Sequence, residues 1–341
     1  MVSCVGWRER ITDVFIDKAE DWTFDELTPI QIPGGKTGEP IERDKAYVTI
    51  KLRSMRVVNV RKGLKKFYGA VHSFVTIGHL GTMKAEFQVL TTPTDLQGIN
   101  NTNLHKVLCF DKDLLNSVPY RGDGLEIELS LYSIQDENLA DSFLKVLEGM
   151  SNAAGVSFVS NAIPFVKPLS DGIDLLMGTT QAQILEIGLS TKVSNPKTGT
   201  FVIMRAPKNS VNLSEFQLDK AYRLVDKKGN TIGDYPYIVY SVESSTERQN
   251  WYQIPELSKA FNAVNEAVRE GKIDKIDEAF SAYKRIVATS PDIIDDDGEK
   301  MIQRLEEKIE KYKKTTLKRT RGEKAEVADL GTFKDLKIYG P

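Results

Sequence analysis

Three short fragments of the sequence contain the residue types of a serine acyl-enzyme. They are Ser142-Phe-Leu-Lys145, Ser170-Asp171-Gly172 and Lys197-Thr-Gly199, in that order along the chain. Such an enzyme needs a serine beside a lysine, with a second motif facing both across a cleft. The fragments lie too close together for the helical domain that normally separates them, and the middle one ends in glycine instead of asparagine. They therefore predict no serine nucleophile.

The segment Gly35-Lys36-Thr37 has the residue types that end a phosphate-binding loop. That loop also needs an earlier glycine and a helix directly after it, because its backbone amides must converge on the phosphates. The earlier position is Ile30, and Pro40 follows too soon for a regular helix to begin. The segment is therefore predicted to be a linker.

The histidines and cysteines do not form a metal-binding pattern. None of the three histidines, His72, His79 and His105, lies at ligand spacing from another histidine, a cysteine or a carboxylate. We therefore predict no catalytic residue, no metal site and no cofactor.

A basic run near the C-terminus is the strongest local charge feature. The chain as a whole is nearly balanced, with 46 basic and 48 acidic residues, so only a local patch can attract an anionic partner. Two interpretations stay open: a solvated helix end favoured by the helix dipole, or contact with the phosphates of an anionic membrane or nucleic acid. The residues predicted to make that contact are Lys313, Lys314, Lys318, Arg319 and Arg321.

Strands with a period of two begin at Ala46. Met83, Ala85, Phe87 and Val89 alternate with polar residues, and the segment from Tyr120 to Tyr132 follows the same pattern. The order of strands over residues 45–148 resembles a C2-type β-sandwich. Calcium-binding members cluster several aspartates, whereas only Asp111 and Asp113 have the right local spacing here. The resemblance therefore implies a calcium-independent version.

The remaining segments complete an α+β chain: an antiparallel β-sandwich, a second smaller β module, and a C-terminal helical hairpin plus a charged helix. The predicted domains are 1–45 (N-terminal segment and linker), 46–148 (C2-like sandwich), 149–180 (apolar connecting segment), 181–254 (second β module) and 255–341 (helices with the basic extension). Pro255 marks the change to a helical period, and Gly271 and Pro291 end the two helices of the hairpin. A third helix is predicted from Glu299 to Lys313.

The chain is interpreted as a non-enzymatic interaction or scaffold protein that binds another protein. Trp251 and Tyr252 are the predicted contact residues, as exposed aromatics of the kind enriched at protein interfaces. One alternative is a peripheral membrane protein that uses residues 149–180 and the basic run. Another is an enzyme whose site assembles from dispersed carboxylates. The sequence does not indicate an oligomeric state.

A cytoplasmic location is predicted from the cysteines and the N-terminus. The chain has only two cysteines, Cys4 and Cys109, whereas large secreted proteins usually carry more, in pairs. The first residues lack the apolar core of a signal peptide.

Overall fold

The computed structural model describes thirteen stretches of the chain. They are residues 22–28, 31–32, 35, 38–58, 61–62, 65–79, 83–91, 107–122, 124–135, 183–206, 210–232, 235–319 and 329–339. The predicted apolar connecting segment (149–180), most of the N-terminal segment (1–45) and Arg321 lie outside the described residues. The two serines of the acyl-enzyme fragments, Ser142 and Ser170, lie outside them as well.

The chain divides into two compact units. Unit 1 comprises Met1–Ile41 and Val48–Ser244, and unit 2 comprises Glu42–Tyr47 and Ser245–Pro341. Each unit is described by itself below.

Two five-stranded sheets and a short hairpin make up the β structure. The strands are β1 (Trp22–Glu26), β2 (Tyr47–Arg56), β3 (Arg61–Lys62), β4 (Lys65–His79), β5 (Met83–Thr91), β6 (Val107–Pro119), β7 (Leu125–Gln135), β8 (Gln183–Val193), β9 (Gly199–Arg205), β10 (Phe216–Leu218), β11 (Leu224–Asp226) and β12 (Tyr237–Ser245). One sheet has the order β1-β9-β12-β2-β6, and the other has the order β3-β4-β7-β8 with β5 on β4. Strands β10 and β11 form an antiparallel pair.

Strands from distant parts of the chain share both sheets. β8 pairs antiparallel with β7, with Leu125 opposite Val193 and Ile134 opposite Gln183, and β12 lies between β9 and β2. The segments 46–148 and 181–254, predicted as separate β modules, therefore contribute strands to the same sheets. Packing of the two sheets as a C2-type sandwich stays a prediction.

The alternation read from the sequence appears in the burial of the strands. Val48, Ile50 and Leu52 of β2 are fully buried, whereas Lys51 and Arg53 between them are partly exposed. β12 is buried on both faces from Tyr237 to Val242 and occupies the middle of its sheet. A strand that is apolar on both faces is typical of the middle of a sheet that is covered on both faces. Since β12 has β9 on one edge and β2 on the other, the prediction of a central strand is confirmed.

Unit 2 contains the helices α1 (Pro255–Glu270), α2 (Ile273–Ala288) and α3 (Asp295–Arg319). Proline at the first turn of α1 has no amide hydrogen to leave unpaired, and Gly271 ends this helix with a φ of 71°. α2 packs against both α1 and α3, as the predicted apolar stripes require. α3 begins four residues before the predicted start and extends six residues beyond the predicted end.

The C-terminal segment, residues 329–339, is part of the core of unit 2. Its apolar residues Leu330, Phe333, Leu336 and Ile338 are buried, and a 3₁₀ turn spans Phe333–Leu336. The fold is α+β, with antiparallel sheets followed by three helices in the described residues. None of these described helices combines the length and apolar character needed to cross a bilayer.

Candidate protein-binding groove

An open groove of about 560 Å³ lies on unit 2 beside α1. One wall is the exposed face of α1, which contributes Ser258, Asn262 and Glu266. The other wall is the C-terminal segment, which contributes Thr332 and Lys334. Tyr252, from a 3₁₀ turn at Trp251–Gln253 just before α1, also lines the groove. We call this feature the α1 groove.

The spacing of residues on α1 explains why this face is polar. Leu257, Phe261, Val264 and Val268 point into the core and are buried. Ser258, Asn262 and Glu266 recur every four residues on a neighbouring face, because a helix has 3.6 residues per turn. The helix therefore presents a row of hydrogen-bonding side chains to the groove.

Asn265 attaches the C-terminal segment to α1. Its Nδ2 donates to Asp329 Oδ1 at 3.0 Å and to the Gly331 carbonyl at 3.1 Å, and its Oδ1 accepts from the Leu330 amide at 2.9 Å. Asn265 is 6% exposed. The buried amide thus pairs with the main chain much as a neighbouring strand would, which fixes one wall of the groove.

A salt bridge and a capping box hold the same wall from outside. Arg269 Nη2 donates to Asp329 Oδ2 at 2.8 Å, and this bond, with those from Gly331 and Asn265, lowers the pKa of Asp329 to about 2. Asp335 Oδ2 accepts from both the amide and the hydroxyl of Thr332. Such reciprocal caps satisfy the backbone groups at the start of a turn, so these bonds stabilise the wall.

The aromatic residues beneath the groove connect its two walls. Phe333 makes an edge contact with Trp251 at 4.9 Å between ring centroids and stacks on Phe261 at 5.1 Å. Above them the Lys334 ammonium lies 4.9 Å from the centre of the Tyr252 ring. The residues that line the groove, all in the described part of the chain, include no histidine or cysteine, so its chemistry is that of hydrogen bonding and charge.

Comparisons with known proteins add no relative. No protein-family model matches the chain, and no curated protein or solved structure matches it. The C2-type resemblance therefore stays a prediction from the strand pattern, and the function of the groove has to be argued from its geometry.

The two aromatic residues predicted to contact a partner have different environments. Trp251 is only 4% exposed, because Phe333 covers it, so the prediction that Trp251 is exposed is wrong. Tyr252 is partly exposed and lines the α1 groove. Its predicted role as a contact residue stays a prediction.

The basic run begins on α3, and its first members differ in their contacts. Lys313 Nζ donates to Asp277 Oδ1 at 2.7 Å, and this bond raises the pKa of Lys313. Lys314 is exposed. Lys318 and Arg319 belong to the last turn of α3. Lys313 is therefore engaged within unit 2, and contact of the run with an anionic surface stays a prediction.

A buried hydrogen-bond network around Asp297 was not predicted from the sequence. Asp297 Oδ2 accepts from the Tyr47 hydroxyl at 2.7 Å and also from the Tyr339 hydroxyl, and Asp297 is fully buried. The Tyr47 oxygen in turn accepts from the Ile294 amide at 3.1 Å. Burial raises the pKa of Tyr47 most, and the negative charge of Asp297 raises it further. Tyr47 therefore stays a neutral donor.

Arg248 extends this network. It is fully buried; its Nη1 donates to the Asp292 carbonyl at 2.7 Å, and its Nε donates to Asn250 Oδ1 at 2.8 Å. Its amide donates to the Tyr339 hydroxyl at 2.8 Å. Burial lowers the pKa of Arg248, and the charge of Asp292 opposes this effect. The run of aspartates in the first turn of α3 was the available sequence signal, but the residues that bind Asp297 lie far away in the chain.

The carboxylates with calcium-like spacing lie in unit 1 among cations. Lys51 Nζ is 3.3 Å from Asp111 Oδ1 and 3.6 Å from Asp113 Oδ1, and Arg53 binds both Asp111 and Glu243. Burial raises the pKa of Asp113 despite the charge of Lys51. In the described residues, no group of three or more acidic, histidine or cysteine side chains is arranged to hold a metal ion.

Proposed function

We propose that this chain is a non-enzymatic interaction protein that binds an extended segment of another protein in the α1 groove. The observation that supports the proposal is the fixed wall: Asn265 makes three hydrogen bonds to residues 329–331, which hold that wall of the groove against α1. A site formed in advance loses less conformational entropy on binding. Its volume of about 560 Å³ lies in the range of sites that enclose small ligands or a few residues.

The lining of the groove favours a polar segment. An extended peptide brings unpaired amides and carbonyls, and Ser258 and Asn262 offer donors and acceptors along the groove. Lys334 adds one positive charge and Glu266 one negative charge, whereas the charge of Arg269 is paired with Asp329. Tyr252 supplies the aromatic surface that interfaces favour.

Two substitutions on adjacent residues of α1 test this proposal. Asn262 and Ala263 are both exposed, but only Asn262 lines the groove, so Asn262→Arg fills the groove and Ala263→Arg is the matched control. In cross-linking pulldowns from the source cells, we expect Asn262→Arg and Tyr252→Ala to deplete one partner about tenfold. Ala263→Arg should retain that partner. Equal recovery of every partner by all the variants would refute the proposal.

A cytoplasmic location is part of the proposal, and it rests on the low cysteine content. The peripheral-membrane alternative stays a proposal based on the basic run, and the exposed Lys314 supports it. It predicts sedimentation with anionic liposomes at low salt, and no sedimentation would remove it. An enzyme built from dispersed carboxylates has less support, since Asp111, Asp113 and Glu243 already lie beside Lys51 and Arg53.

A further inference from the structure

The α1 groove has a charge of opposite sign on each of its walls. Lys334 lies on the wall formed by the C-terminal segment, and Glu266 lies on the wall formed by α1. Both residues are exposed, and neither has an ion-pair partner among the residues that the structure describes. One cation and one carboxylate are therefore available to a bound segment.

The other charged groups near the groove leave this balance unchanged. Arg269 is the third charged residue that lines the groove, and its guanidinium pairs with Asp329 at 2.8 Å. Asp335 follows Lys334 in the chain but does not line this groove, and its carboxylate accepts from the amide and hydroxyl of Thr332. The groove is therefore neutral as a whole, and its two available charges have opposite signs.

Lys334 lies at the end of the groove where α1 begins. Its ammonium is 4.9 Å from the centre of the Tyr252 ring, and Tyr252 comes just before the first residue of α1, Pro255. An aromatic ring attracts a cation through its quadrupole but supplies no counter-charge. Tyr252 therefore positions the ammonium and leaves its charge for an acidic residue of a partner.

Glu266 lies toward the other end of the groove. It belongs to the third turn of α1 after Pro255, and its place in the helix corresponds to about 16 Å along the helix axis from that proline. Lys334 and Glu266 are thus separated along the groove and also lie on opposite walls. A segment that meets both charges has to be extended.

We propose that the segment bound in the α1 groove carries an acidic and a basic residue five positions apart, with uncharged residues between them. This inference rests on the proposed function of the groove. An extended chain advances about 3.3 Å per residue, so five residues span about 16 Å. Its side chains alternate between two sides, so residues five apart point to opposite walls. Ser258 and Asn262 lie between the two charges and offer hydrogen bonds to the intervening backbone.

Peptide pools presented to the immobilised full-length protein test the proposal. Each octapeptide carries two charged residues five positions apart, and the positions between them are randomised among uncharged residues. The mixed pool carries one aspartate and one lysine in either order, the acidic pool carries two aspartates, and the basic pool carries two lysines. Wild type should retain the mixed pool about fivefold more than either other pool. This preference should fall as salt rises.

Reversal of either charge should change the preferred pool. Glu266→Lys places two cations in the groove and should make the protein prefer the acidic pool. Lys334→Glu places two carboxylates there and should make it prefer the basic pool. The matched control Lys259→Glu reverses an exposed charge on α1 that does not line the groove, so it should keep the preference of wild type.

The outcomes separate this proposal from the proposed function. The charge proposal is overturned if wild type retains the three pools equally, or if the two reversed variants keep its preference. Loss of that equal retention in Asn262→Arg would show that the groove still binds peptides. If wild type retains no pool, the charge proposal is wrong, and the pulldown with Asn262→Arg and Ala263→Arg decides the proposed function separately.

Discussion

Charged groups form a cluster in each unit, around Arg53 in unit 1 and around Asp297 in unit 2. The two clusters differ in burial: the carboxylates around Arg53 are exposed, whereas Asp297 is buried. Arg53 has a side chain that is 11% exposed, but its partners Asp111 and Glu243 are 63% and 41% exposed. Asp297 and Arg248 are fully buried. Exposed carboxylates can return to water when a partner is lost, whereas buried groups cannot. Burial should therefore decide how much each cluster contributes to stability.

The largest expected effect is at Arg248. Arg248→Met removes the donors to Asn250 and to the Asp292 carbonyl, and it leaves the buried Asp292 without its nearby positive charge. We expect the free energy of unfolding to fall by about 3–5 kcal/mol, measured by urea denaturation. A loss below about 1 kcal/mol would show that burial does not separate the two clusters.

A smaller loss is expected at Tyr47. Tyr47→Phe removes a donor to the buried Asp297 and an acceptor for the Ile294 amide, so we expect a loss of about 1–3 kcal/mol. The matched control is Tyr283→Phe, because the Tyr283 hydroxyl is buried with no hydrogen-bond partner among the described residues. That control should be neutral or stabilising. Equal losses for the two variants would contradict the role of the Asp297 network.

Replacing an arginine by methionine in unit 1 should lower the free energy of unfolding less than Arg248→Met does in unit 2. Arg53→Met gives up ion pairs to two half-exposed carboxylates, the bond to Ser241 and the contact with the Tyr222 ring at 4.8 Å. We expect a loss of about 1 kcal/mol, and much of it should disappear in high salt. If Arg53→Met lowers the free energy of unfolding as much as Arg248→Met does, burial does not explain the difference between the two clusters.

The smallest effect is a local response to pH at Asp329. Its pKa is about 2 in the folded chain against about 3.9 for an unperturbed aspartate. A depressed folded pKa contributes stability that is present above the unfolded value and is lost as pH falls through the folded value. The Leu330 amide, which donates to Asn265, should therefore exchange its hydrogen faster relative to intrinsic rates between about pH 4 and pH 2.

Asp329→Asn is the control for this response. It should remove the pH dependence while retaining a carbonyl oxygen for the Gly331 amide and for Asn265 Nδ2. If Asp329→Asn shows the same pH profile as wild type, another group controls the docking of the C-terminal segment.

Much of the secondary structure was predictable because it is set by neighbours in sequence. The alternation from Val48 to Arg53 in β2 matches the observed burial, whereas Ser130 of β7, predicted on the polar face, is buried. Pro255 and Gly271 bound α1 as predicted. The predicted α3 was too short at both ends. Its earlier start is explained by Tyr47 and Tyr339, which bind Asp297 in the first turn. The α1 groove was not predicted, and Tyr252 is the only one of its lining residues that the sequence analysis named.

The sequence by itself determined the α+β class, the periods of the strands and helices, and the central position of β12. These features follow from how apolar residues recur within a few positions. Only the tertiary structure decided that β8 pairs with β7, that Phe333 covers Trp251, and that Tyr47 meets Asp297 across 250 residues of chain. Contacts of that kind depend on which surfaces fit once the chain has folded, and no local pattern encodes them.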